Sequence, residues 1–201
     1  MHDDSQEERS RARAERKRAV VEAAVASATS ERGLLLVHTG NGKGKSTAAF
    51  GLVARALGHG LTPVVVQFVK SRSDTGEERF FRAVPGLRWH VMGAGFTWET
   101  QDRQGDIAAA QAAWALAKAY LADPTVDLVV LDEMTYAFTQ QWLELDEVLA
   151  ALHARPPMQH VVITGRGAPR ALVEAADTVT EMALVKHAFS SGVKAMRGVE
   201  W

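Results

Sequence analysis

Leu34-Leu35-Leu36-Val37-His38-Thr39-Gly40-Asn41-Gly42-Lys43-Gly44-Lys45-Ser46-Thr47 decides the fold. Its first four residues form a continuous apolar run, as expected of a strand buried on both faces. The glycines that follow let the backbone turn so that successive N–H groups point inward. A helix expected from Lys45 to Leu57, ended by Gly58 and Gly60, adds unpaired N–H groups and the positive end of its dipole. Strand, glycine turn and helix in this order make a P-loop, a cradle for phosphate. Thr39, Gly40, Asn41, Gly42, Lys43, Gly44, Lys45, Ser46 and Thr47 are therefore the expected nucleotide-binding set. Lys45 supplies a mobile cation, and the Ser46 hydroxyl can ligate Mg²⁺ or Mn²⁺. One departure stands out. The general Gly-x-x-x-x-Gly-Lys-Ser pattern would put glycine where this chain has Thr39.

Working outward, apolar runs and helical stretches alternate. Strands are expected at 63–69, 87–92, 126–131, 160–164 and 177–185, with helices at 107–121 and 143–153 between them. Strands separated by helices imply a mainly parallel sheet with right-handed crossovers, six strands in all, of the RecA-like P-loop NTPase kind. The strand Val129-Val130-Leu131 runs into Asp132-Glu133, about ninety residues after the cradle. Ligands bind at the carboxyl ends of strands in open α/β sheets, so Asp132 and Glu133 are placed to hold the metal directly or through water. The seven histidines show no ligand spacing such as His-x-x-x-His, and His38 and His90 read as core or supporting residues.

Residues 1–32 differ from the domain expected over 33–201. They are polar, rich in Arg and Ala, and free of Gly and Pro. A disordered, flexible start and then a helix over about 8–28 are expected, with Arg9, Arg11, Arg13, Arg16, Lys17 and Arg18 on it and a modest apolar stripe of Val20, Val21, Ala24 and Val25. The net charge of −1 gives no global field for nucleic acid or membrane. No apolar run approaches the ~20 residues of a membrane span. With no cysteine, disulfides, thiolate metal sites and thiol redox chemistry are excluded. A cytoplasmic enzyme is the expectation. Physical reading alone reaches a Mg·ATP-dependent α/β protein, and leaves open a RecA-like ATPase or a small-molecule kinase.

The run from Thr39 to Thr47 resembles the modified P-loop of the CobA/CobO/BtuR family of ATP:corrinoid adenosyltransferases. Other stretches fall in the family's order: Val66-Gln-Phe-Val-Lys70, Gly95-Phe-Thr-Trp-Glu-Thr-Gln101, Leu131-Asp-Glu-Met-Thr-Tyr136, Thr164-Gly-Arg166, and Lys186-His-Ala-Phe189 through Gly192-Val-Lys-Ala195 to Gly198-Val-Glu-Trp201. The resemblance covers residues 8–201. Ser46, where the family often has Thr, keeps a hydroxyl; Met196 stands where Gln is frequent.

The resemblance implies transfer of the 5′-deoxyadenosyl group of ATP to the cobalt(I) of a corrinoid, either cobalamin or cob(I)yrinic acid a,c-diamide, with triphosphate as the leaving group. It implies a nucleotide bound in reverse relative to other P-loops, Arg166 in the nucleotide set, and Lys45 and Glu133 among the catalytic residues. It further implies that Phe96 and Trp98 cover the lower face of the corrin and displace its axial ligand, easing reduction of cobalt(II) by an external flavin or flavoprotein. Finally it implies a homodimer in which the N-terminal helix covers the partner's corrinoid as a lid. The chain lacks the Asp-x-His-x-x-Gly run of proteins that keep B12 as a resident cofactor, so the corrinoid is expected as a transient substrate.

Overall fold

In the computed structural model, residues 2–69, 75–93 and 102–200 are described. The chain divides into two compact units, residues 1–32 and 33–201. The first holds one helix, α1 (His2–Ser27), which begins earlier than its sequence suggested. Ala, Arg and Glu are strong helix formers. Ion pairs Arg11–Glu7 and Arg18–Glu22, each one turn apart, also support it. The acids interleaved with the arginines thus neutralise part of the basic cluster. Val20, Val21 and Val25 are exposed.

The second unit is a six-stranded parallel sheet in the order β3-β2-β4-β5-β1-β6. The strands are β1 (Leu35–Thr39), β2 (Pro63–Gln67), β3 (Arg88–Val91), β4 (Leu128–Asp132), β5 (His160–Thr164) and β6 (Thr178–Glu181). Helices α2 (Lys45–Gly58), α3 (Gly76–Arg82), α4 (Arg103–Leu121), α5 (Thr135–Thr139), α6 (Leu145–Ala154) and α7 (Arg170–Ala175) connect them, and a 3₁₀ turn spans Ala188–Ser191. The expected α/β class and parallel sheet are present.

Strand alternation sorts the core into two layers. Val64, Val66, Val129, Leu131, Val161 and Ile163 face one side, where α4 contributes Trp114 and α6 contributes Val148 and Leu152. Val65, Val130 and Val162 face the other, against Ala49, Phe50 and Val53 of α2 and Phe81 of α3. β2 and β4 are buried throughout, which is why they read as unbroken apolar runs. β6 differs. It is exposed along its whole length and stops at Glu181, short of the expected 185. Among the described residues it is an edge strand paired to β1 alone.

Candidate functional site

The carboxyl ends of β1, β4 and β5 lie side by side and carry, in turn, the glycine loop, Asp132-Glu133 and Gly165-Arg166. Gly40 and Gly44 take positive φ, 94° and 109°, which glycine adopts without strain. Gly44 is also the N-cap of α2 and makes no side-chain capping bond, so the first N–H groups of α2 are left for a ligand. Gly42 has a different constraint. A Cβ there would sit 2.5 Å from the Ala183 carbonyl oxygen, and the Gly42 N–H donates to the Met182 carbonyl at 2.6 Å. The chain leaving β6 therefore backs the loop directly. Thr39 is explained as well: its Oγ1 accepts from the Ala168 N–H at 3.3 Å, tying the end of β1 to the segment after β5.

Lys45 reaches into the centre of the loop, its Nζ donating to the carbonyls of Gly40 (2.7 Å) and Gly42 (2.6 Å). Burial holds its pKa below the ordinary lysine value. The neighbouring Arg166 cation pushes the same way, while Glu133 opposes. A cleft of about 890 Å³ opens beside it, a size suited to a nucleotide. Of the residues singled out from sequence, Gly42, Lys43, Gly44, Lys45, Ser46 and Thr47 line this cleft, as do Glu133 and Arg166. Thr39, Gly40, Asn41 and Asp132 are not on its wall. Phe96 and Trp98 lie outside the described residues.

Glu133 is the residue where β4 turns. It has a φ of 57°, in the left-handed region that a non-glycine residue rarely occupies. Its N–H is held by Thr164 Oγ1 at 2.9 Å. Strain of this kind persists only where the surroundings impose it, and it clusters at functional sites. Asp132, one residue earlier, is fully buried. Its carboxylate accepts from Thr164 Oγ1 (2.8 Å) and Gln67 Nε2 (2.8 Å). Behind Arg166, Thr135 Oγ1 donates to the Arg166 carbonyl at 2.7 Å. A Cβ at Gly165 would lie 2.0 Å from that same hydroxyl, so only glycine fits.

Several cleft residues escaped the sequence reading. Glu200 and Val199 come from the C-terminal tail, and Lys43 pairs with Glu200. Glu77 comes from α3 and Tyr136 from α5. None has a local motif, although both the tail and Tyr136 belong to stretches that resembled the family. Among the described residues no group of three or more His, Asp or Glu side chains forms a self-sufficient metal site. No helix among them is long and apolar enough to cross a membrane.

Comparison with known proteins agrees with this geometry. The family model described as ATP:corrinoid adenosyltransferase BtuR/CobO/CobP matches residues 31–201. A corrinoid adenosyltransferase of Pseudomonas aeruginosa is 63% identical over 196 residues, covering 97% of each chain. Corrinoid adenosyltransferase CobA of Salmonella typhimurium is 52% identical over 181 residues, 90% of this chain and 92% of its own. The Escherichia coli K12 corrinoid adenosyltransferase is 49% identical over 195 residues, 97% of this chain and 99% of its own. Cradle, acid-ended strand and tail all fall inside the matched region, and the chain belongs to the ATP:corrinoid adenosyltransferase family.

Proposed function

We propose that the cleft binds ATP with its triphosphate on the loop from Gly42 to Thr47, and that the chain transfers the 5′-deoxyadenosyl group to the cobalt of a corrinoid. The observation that carries this reading is the convergence of Lys43, Lys45 and Arg166, with the open N-terminus of α2, on one cleft edged by Glu133. Cobalt(I) attacks C5′ with an electron pair and forms the cobalt–carbon bond. The C5′–oxygen bond breaks, and triphosphate leaves with that bond's electrons. The metal ends as cobalt(III). The nucleophile carries no proton, so no general base is required. What the protein must supply is a fixed positive environment for charge growing on the departing oxygen, and clustered cations with aligned N–H groups provide it.

A divalent cation fits the same place. Ser46 and Glu133 are hard oxygen donors on the cleft wall, suited to Mg²⁺ sharing its remaining positions with phosphate and water. When bound, it would neutralise triphosphate charge. The fully buried Asp132 would stand behind these ligands. Incubation with ATP and chemically reduced cobalamin should yield adenosylated corrinoid and one triphosphate per turnover. ADP and phosphate as products would instead support an ATPase.

Phe96 and Trp98 are proposed, from the resemblance, to remove the axial ligand of cobalt(II). Losing a σ-donor makes the metal easier to reduce, and apolar rings keep water from replacing it. The electron must come from outside, from a flavin or flavoprotein, because a chain without cysteine has no thiol couple of its own. With cobalt(II) and reduced flavin, Phe96→Ala and Trp98→Ala should each lower turnover by at least about tenfold, a barrier increase of ~1.4 kcal/mol. With cobalt(I) generated chemically, most of that loss should vanish. Equal loss in both assays would assign the two rings to corrin binding in general.

A further inference from the structure

A row of buried polar side chains crosses four strands on the α2 side of the sheet. Trp89 of β3 donates its indole N–H to Gln67 Oε1 at 3.1 Å. Gln67 of β2 donates through Nε2 to Asp132 Oδ2 of β4, its partner in the strand register, at 2.8 Å. Thr164 of β5 donates to Asp132 Oδ1 at 2.8 Å and accepts the Glu133 N–H at 2.9 Å. Trp89 is 4% exposed, Gln67 1%, and Asp132 and Thr164 0%. Such a row is unusual in a sheet whose remaining buried positions are almost wholly apolar, and apart from Asp132 the P-loop chemistry above makes no use of it.

The chain has a fixed polarity. An indole N–H can only donate, so Gln67 must present its oxygen to Trp89 and its amide N–H groups to Asp132. On the far side, a backbone N–H can only donate too. Thr164 therefore accepts from Glu133 and spends its own proton on Asp132. Both ends deliver hydrogens to Asp132, and only a side chain that accepts at both oxygens closes the row. A carboxylate does this; an amide does not. Trp89 is locked in turn by ring contact with Phe50 of α2, centroids 4.9 Å apart.

We propose that Gln67 is a positioning residue: with Trp89 setting its orientation, it holds Asp132 as the fixed anion that, through Thr164, clamps the strained turn from which Glu133 meets the cleft. This rests on the reading of Glu133 as the carboxylate for the divalent cation. Asp132 then acts on the cation through Glu133 rather than by direct ligation. The φ of 57° at Glu133 needs such a clamp, since the bend lies next to a strand end and would relax if the N–H were released.

Calorimetric titration of the full chain with ATP, once with Mg²⁺ and once with EDTA, tests this without relying on turnover. The ratio of the two affinities measures what the cation contributes. Glu133→Gln should collapse that ratio. Gln67→Leu should lower it by about tenfold, the usual scale for residues that orient a metal ligand, while affinity in EDTA stays within about twofold. Asp132→Asn, which alters polarity and hardly any volume, should match it and serves where Gln67→Leu does not fold. Adding Trp89→Phe to Asp132→Asn should restore part of the ratio, because Gln67 is then free to turn its oxygen toward the introduced amide. An unchanged ratio in Gln67→Leu beside a collapsed one in Glu133→Gln overturns the positioning role. An equal fall with and without Mg²⁺ also overturns it, since that is damage to the sheet. An unchanged ratio in Glu133→Gln overturns the metal reading itself.

Discussion

Lys45→Ala should lower adenosyl transfer by about two to three orders of magnitude, the scale seen when one preorganised donor to a developing negative charge is removed. Lys45 does two jobs in this loop. Its Nζ donates to the Gly40 and Gly42 carbonyls and so braces the loop from within. It is also the most enclosed of the three cations, the one whose charge burial makes costly. An anion recovers that cost, so the polyphosphate interaction is strongest there. Alanine removes the charge and the loop's internal brace together. ATP titration should show the loss in the ground state as well as in turnover. Near-normal ATP affinity in the variant would sink the phosphate-cradle assignment.

Gly42→Ala should be nearly as damaging for a different reason. Lys45→Ala deletes an interaction, whereas Gly42→Ala inserts an atom where two backbone oxygens stand, those of Ala183 at 2.5 Å and Met182 at 2.7 Å. Backbone cannot rotate away as a side chain would, so the loop or the chain leaving β6 has to move. The Gly42 N–H bond to Met182 is then lost or lengthened. A stability loss of about 1–3 kcal/mol is expected from overpacking of this kind, with ATP affinity falling about a hundredfold as the N–H groups lose register. Gly51→Ala is the matched control. It lies on α2 with nothing within 4 Å of the new Cβ, and alanine favours a helix by roughly 0.5–1 kcal/mol. Thermal unfolding should separate the two in opposite directions. Equal tolerance of both substitutions would mean the loop is not held against the chain leaving β6.

The parts of this molecule that were legible from sequence share one property: their chemistry is local. A buried strand, a glycine turn and a helix start follow one another within a few residues, and so do the apolar run and its terminal Asp132-Glu133. The short helices α3, α5 and α7 were not legible. With seven, five and six residues they are too brief to show a 3.6-residue period. Gln67 was read only as part of an expected strand and of a family-like stretch, with no role of its own. Its partners Trp89 and Asp132 lie 22 and 65 residues away, and only strand register brings them together. The one available signal was a glutamine closing an otherwise apolar strand. Glu200 was hidden for the same reason, since no periodicity links a tail to the loop at Lys43.

The placement of β1 between β5 and β6 sets a schedule for how the protein is made. The strand that carries the cradle finds no neighbour among the segments translated soon after it. Leu34 donates its N–H to His160, 126 residues later, and the cradle's brace at Met182 comes later still. At about 5–20 residues per second, roughly 6 to 25 s separate synthesis of the first strand from synthesis of its partner. During that interval β2, β3 and β4 can pair among themselves, while an apolar segment waits without a mate. The nucleotide site is thus one of the last features a nascent chain completes. Chains released early would carry the entire phosphate-binding sequence and still lack the surface that shapes it.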